Sequence, residues 1–152
     1  MQINSWGMYP QIKSKKFTFN TKDNLKNILK ENSTLIPFGN GRSYGDSALN
    51  ENIIYSKPYN YFLDFDEERG ILHCQSGVLL SEIIEVFVPH GWFLKVTPGT
   101  KLITIGGGIA SDVHGKNHHV EGCFSSCVEE FNLMLPNGEI KNVKKDDELF
   151  LA

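Results

Sequence analysis

The stretch Pro37-Phe38-Gly39-Asn40-Gly41-Arg42-Ser43-Tyr44-Gly45-Asp46-Ser47 decides how this chain is read. It follows directly on Thr34-Leu-Ile-Pro-Phe38, a short apolar run with the composition of a strand. Glycines placed just past a strand permit positive φ and let a ligand approach the main chain closely. Consecutive N–H groups in such a bend can form a concave anion site. Two familiar phosphate loops do not fit. A Walker loop needs Gly-Lys-Ser/Thr, which is absent, and a dinucleotide fingerprint needs glycine where Tyr44 stands. Taken alone, the stretch is equally compatible with a tight turn that holds nothing.

Reading upstream, Lys16-Phe-Thr-Phe-Asn20 alternates like a strand. Residues 23–31 carry Leu25, Ile28 and Leu29 at helical spacing, with Thr21 or Asp23 as candidate N-caps. Together with 34–38 this predicts two parallel strands joined by a crossover helix. Downstream, strands are predicted at 53–55, 61–65 and 71–75, the last two joined by the turn sequence Asp66-Glu-Glu-Arg-Gly70. Leu80, Ile83, Ile84 and Phe87 mark an amphipathic helix over 79–88, stopped by Pro89-His-Gly91. Strands at 128–135 and 139–143 flank Pro136-Asn-Gly138, a hairpin signal. No internal repeat or low-complexity segment interrupts the pattern. The expected fold is α+β: a small parallel β-α-β unit over about 1–56, then a second α+β subdomain with antiparallel strands over about 57–152.

A second glycine-rich region starts at Pro98-Gly99-Thr100 and continues as Thr104-Ile105-Gly106-Gly107-Gly108-Ile109-Ala110. Three consecutive glycines are costly to order, so this run is expected to be a loop kept for close approach of backbone to a ligand. Ser111-Asp112-Val113 leads from it into His114-Gly-Lys116-Asn-His-His119, a dense polar cluster. Amides of two bends beside such a cluster suggest one long phosphate-bearing cofactor near groups that handle protons or an oxyanion. A second reading is a zinc module built from His114, His118, His119, Cys123 and Cys127, although Gly115 and Gly122 break a continuous helix and no Cys-x-x-Cys knuckle exists. A third is a noncatalytic interaction domain that kept the fold and lost the cofactor.

Composition narrows the classes. The 152 residues are 40% hydrophobic and 22% charged, ordinary for a globular domain with a real core. A net charge of -3 with no Lys/Arg stripe argues against nucleic acid. The runs Lys13, Lys15, Lys16 and Lys141, Lys144, Lys145 read as solvated surface. No apolar stretch approaches the ~20 residues of a membrane span, and no charged-then-apolar leader is visible. The odd set Cys74, Cys123 and Cys127 reads as reduced thiols of a cytoplasmic protein. Leu149, Phe150 and Leu151 ask for burial at the end of the chain, which suggests part of a longer protein.

The segments 37–46 and 114–119 resemble the vanillyl-alcohol-oxidase-like, PCMH-type FAD-binding superfamily, and within it the decaprenylphosphoryl-ribose oxidase branch. Trp6-Gly7, Pro98-Gly-Thr100, the glycine run, Asn137-Gly-Glu139 and Glu148-Leu-Phe150 fit that branch in order. The resemblance implies FAD bound between two small α+β subdomains, with residues 37–47 around its pyrophosphate. Gly99, Thr104, Ile105, Gly106, Gly107, Ser111, Asp112, Val113 and His114 are implied to touch other parts of it. Tyr44, His114 and Lys116 match the positions that face flavin and substrate. The implied reaction oxidises an alcohol carbon of a sugar-like substrate, polyprenyl-phosphoryl ribose being one of that class, with hydride passing to the flavin. A lipid-linked substrate would bring membrane contact. Arg42 occupies the slot of the histidine that tethers flavin in many members. A guanidinium stays protonated and cannot be that nucleophile, which implies noncovalent FAD. A full member continues into the rest of the flavin domain and a substrate domain, so this piece alone is expected to be inactive.

Overall fold

The computed structural model describes residues 1–150; Leu151, expected to be buried, lies outside them. The chain opens with an antiparallel pair, β1 (Gln2–Asn4) and β2 (Gln11–Lys13), not anticipated from sequence because each strand is only three residues long. There follow β3 (Lys15–Thr18), α1 (Lys22–Glu31), β4 (Ile36–Phe38) and β5 (Asn52–Tyr55). Thr21 is the N-cap of α1: its hydroxyl accepts the Asn24 N–H at 3.1 Å, meeting one of the donors a helix start leaves open.

The β-α-β unit forms as expected, with a third strand inserted in it. β3 and β4 do not pair with each other; both run parallel to β5, which lies between them. The reason is burial. Ile53 and Ile54 are adjacent, so they point to opposite faces, and both are buried. A strand apolar on both faces belongs at the centre of a parallel sheet. Ile53 packs with Ile3, Phe38 and Leu49 into one core cluster, which sets the end of β4 against the N-terminal pair.

A second core lies beyond residue 57. β6 (Phe62–Asp66) and β7 (Ile71–Cys74) form the expected hairpin, with Asp66 Oδ1 accepting the Glu68 and Arg69 N–H groups at 3.0 Å. α2 (Leu80–Phe87) buries Leu80 and Ile83 and passes into a 3-10 turn over Val88–His90 that ends at Gly91. These residues pack with Val78, Val96 and Phe124. Two short helices, α3 (Ile105–Ala110) and α4 (His118–Glu121), precede the final hairpin of β8 (Glu130–Met134) and β9 (Ile140–Lys144). The Asn137 side chain holds that hairpin's turn by accepting the Glu139 N–H at 2.9 Å.

Gly77 joins the two halves. A β-carbon there would run into the carbonyl oxygens of Ser56, Lys57 and Tyr59. In its absence the Gly77 N–H reaches the Tyr59 carbonyl at 2.7 Å. Among the described residues, no helix is long and apolar enough to cross a membrane.

Candidate functional site

The bend after β4 is shaped by glycine. Gly41 sits at φ +64° and Gly45 at φ +57°, a region that L side chains avoid. Gly41 also passes within 3.2 Å, measured from where a β-carbon would be, of both the Asn4 carbonyl and the Phe38 ring. Among the described residues, none of the seven consecutive N–H groups from Gly39 to Gly45 finds a protein acceptor. Buried main-chain donors are almost always paired in folded proteins; those of this half-buried to exposed bend are left for solvent or a ligand. A row of open donors beside the carboxyl end of a parallel sheet is where α/β folds take up ligands.

The N-terminal pair supports this bend from outside. The Trp6 N–H donates to the Ser43 carbonyl at 3.1 Å, and the Arg42 guanidinium lies over the Trp6 ring at 5.4 Å. Arg42 Nε is buried without a partner. A cleft of about 240 Å³ runs along the bend, lined by Gln2, Ile3, Lys16, Tyr55 and residues 38–42. The Lys16 ammonium stands 4.5 Å above the Tyr55 ring. Lys16 is therefore a wall of the site. Its place in a basic run concealed this, since only the pairing of β3 with β5 brings it beside Tyr55.

The second glycine region is not the open loop expected of it. Residues 105–110 form α3, and the N–H groups of its first turn are all engaged. Ile105 donates to Val78 O and Gly106 to Ser76 O, both at 2.8 Å. The Thr104 hydroxyl accepts from Gly107 at 3.1 Å, and the Thr104 carbonyl accepts from Gly108 at 2.8 Å. Glycine serves packing here. A β-carbon on Gly106 would meet Ser76 at 3.0 Å, and one on Gly108 would meet the Phe124 ring at 3.4 Å. The first turn of α3 therefore leaves no amide open, in contrast to the first bend.

The two regions touch. A β-carbon on Gly39 would fall 2.6 Å from the Thr104 hydroxyl oxygen, and Thr104 is only 2% exposed. The Asn40 side-chain amide donates to the Leu102 carbonyl at 2.8 Å. The structure thereby brings 39–40 and 102–104 together, while Gly99 lies open on the surface. Ser111 caps the end of α3 through its N–H. Asp112, at φ +36°, uses Oδ1 to accept the Ser125 N–H at 2.8 Å, so one of its oxygens is structural.

Val113 anchors the polar cluster, its carbonyl accepting the Phe124 N–H at 2.8 Å. His114 is exposed and its ring meets His118 edge-on at 5.4 Å; His118 meets His119 at 5.9 Å. Lys116 is exposed and takes part in no ion pair among the described residues. Tyr44 is 82% exposed. No hydrogen bond or ring contact ties Tyr44 to His114 or Lys116 among the described residues. Nor, among those residues, do His114, His118, His119, Cys123 and Cys127 converge: no group of three His, Cys, Asp or Glu side chains is placed to share a metal ion. The Cys127 thiol instead donates to the Phe124 carbonyl at 3.0 Å, and burial raises its pKa. All three cysteines are free.

Comparison with known proteins gives a consistent result. Residues 18–144 match the family described as FAD binding domain. Decaprenylphosphoryl-beta-D-ribose oxidase of Mycolicibacterium smegmatis is 37% identical over 123 residues, covering 78% of this chain and 27% of the relative. D-lactate dehydrogenase of Anaerostipes hadrus is 33% identical over 81 residues, covering 53% of this chain and 17% of the relative. The solved structure of an alkyldihydroxyacetonephosphate synthase superposes with a TM-score of 0.69 at 18% identity, over 86% of this chain and 26% of that one. The last similarity speaks for the fold alone. The chain spans about a quarter or less of the length of each of these proteins.

Proposed function

This chain belongs to the FAD-binding-domain family, and from that premise we propose that it is the part of an oxidoreductase that grips FAD through the open amides of Gly39 to Gly45. Those seven N–H groups are the observation that carries the reading. A pyrophosphate needs several convergent donors, and a nest of amides supplies them without a basic surface, which suits a chain of net charge -3. Arg42 Nε, buried and unpartnered, and Lys16 add positive potential along the same cleft. Pro37 and Phe38 end the strand that aims the bend; Asp46 and Ser47 close it, the Ser47 hydroxyl donating to the Tyr44 carbonyl at 3.0 Å.

Bound FAD supplies a two-electron acceptor for a hydride leaving carbon. The parent protein, on this reading, oxidises the alcohol carbon of a sugar-like substrate. Lys116 is the cation that stabilises alkoxide as the hydroxyl proton is lost. His114 orients that hydroxyl or relays its proton. Tyr44 packs against the flavin. Gly99, residues 105–107 and residues 111–114 contact FAD through what they leave exposed, because the first-turn amides of α3 are engaged; Thr104, only 2% exposed, stands behind them against Gly39. The flavin is held noncovalently, since Arg42 offers no nucleophile. Residues 1–152 are one part of the flavin domain, about 1–56 and about 57–152 being its two subdomains, and the piece alone does not turn over substrate.

Titration of FAD with the purified chain, followed by quenching of flavin fluorescence, tests the reading. Saturable quenching at one FAD per chain is expected. Fluorescence unchanged at high micromolar protein, in this chain and in its full-length parent, refutes it. Turnover of sugar alcohols by the parent with an added electron acceptor tests the substrate class.

A further inference from the structure

We propose that Asn40 and Thr104 act as positioning residues, forming a clasp that sets the separation between the amide-bearing bend and the 99–114 segment. The inference rests on the FAD reading above and goes beyond it by giving the Asn40 and Thr104 side chains a role other than ligand contact. Two contacts join the segments among the described residues. The Asn40 amide donates to Leu102 O across 62 positions of sequence. The buried Thr104 side chain fills the space left by the missing side chain of Gly39.

The bend is also held from the opposite side, through Trp6 on Ser43, Trp6 under Arg42, and Asn4 against Gly41. The bend could therefore follow the N-terminal pair were it not tied to Leu102. One polar function of each side chain is already engaged within the protein: the Asn40 amide nitrogen donates to Leu102 O, and the Thr104 hydroxyl accepts from Gly107. Their side chains fix geometry, and the bend's main chain keeps its donors free.

A ligand that spans two contact regions gains from their correct spacing, because the second contact forms at high effective concentration once the first is made. A ligand that touches one region gains nothing from it. The clasp therefore separates two ligands that share a phosphate group. FAD, long enough to reach from the bend to the 99–114 segment, depends on it. ADP, held by the bend alone, does not.

The test compares the parent chain with Asn40→Ala and Asn40→Leu, two neutral variants that lose the donor and differ in bulk. Both are titrated with FAD and with ADP. The clasp requires the FAD Kd to rise about tenfold in both variants while the ADP Kd stays within twofold. Equal weakening of both ligands would mean a general loss of structure, and an unchanged FAD Kd would mean that the spacing does not matter; each overturns the clasp. Amide hydrogen exchange without ligand decides the case independently. Exchange over 102–107 must quicken in both variants, and unchanged exchange sinks the clasp whatever FAD does. A parent chain that binds no FAD yet shows the exchange effect removes the cofactor reading and leaves the mechanical tie standing.

Discussion

Gly39 and Thr104 compete for one volume: the β-carbon that Gly39 lacks would stand 2.6 Å from the Thr104 hydroxyl oxygen and 3.2 Å from its methyl carbon. Gly39→Ala must displace a side chain that is 2% exposed and that caps α3. Overpacking of this kind costs ~2 kcal/mol, a fall of ~5 °C in melting temperature for a domain of this size. Thr104→Ala alone removes the cap for about 1 kcal/mol. Because the two side chains meet, the double variant should lose clearly less than the two single losses added. Thermal melts of the four proteins check this.

Gly77→Ala should be harsher. The three carbonyl oxygens facing its absent β-carbon belong to the main chain of residues 56–59, and main chain cannot rotate aside as a side chain does. We expect a loss at or above the upper end of the usual ~1–3 kcal/mol for overpacking. Urea unfolding measures it, with Gly91→Ala, whose β-carbon would meet no atom within 4 Å, showing only the cost of its positive φ.

Burial pushes the Cys74 thiol up from 9.0 to about 11. The unfolded thiol then ionises first as pH rises. The stability linked to the protonated thiol is complete below about pH 9 and is lost between there and about 11. Cys74→Ala should flatten the fall of melting temperature across that window, measured against its own value at pH 8. An identical slope in the two proteins would contradict the assignment.

Flavin retained by the parent protein should leave it on denaturation. On the proposed reading Arg42 stands where a histidine would tether flavin, and its guanidinium lies over the Trp6 ring. Precipitation with trichloroacetic acid is expected to put the yellow colour in the supernatant, and colour in the pellet would show a covalent link from another residue.

The elements legible in sequence are those set by neighbours along the chain. Thr21 capped α1, and Asp66-Glu-Glu-Arg-Gly70 and Pro136-Asn-Gly138 made hairpins, because cap and turn chemistry act within a few residues. Two features decided by distant residues had no local signal, and the second was read as a loop. The central place of β5 follows from the burial of Ile53 and Ile54 on both faces, a property of the assembled sheet. Helix α3 contradicts the low helix propensity of Gly-Gly-Gly, since its first N–H groups reach Val78 and Ser76, almost thirty positions away. Of the candidate site, the bend could be found from glycine after a strand. Lys16 and the Asn40–Leu102 tie could not, having no local signal.

The row of open N–H groups from Gly39 to Gly45 has a last implication. Peptide amides do not ionise in the physiological range and offer nothing for acetylation or methylation to alter. The share of a grip that they supply keeps its strength through acid and alkaline swings, and a change in main-chain shape is what would weaken that share.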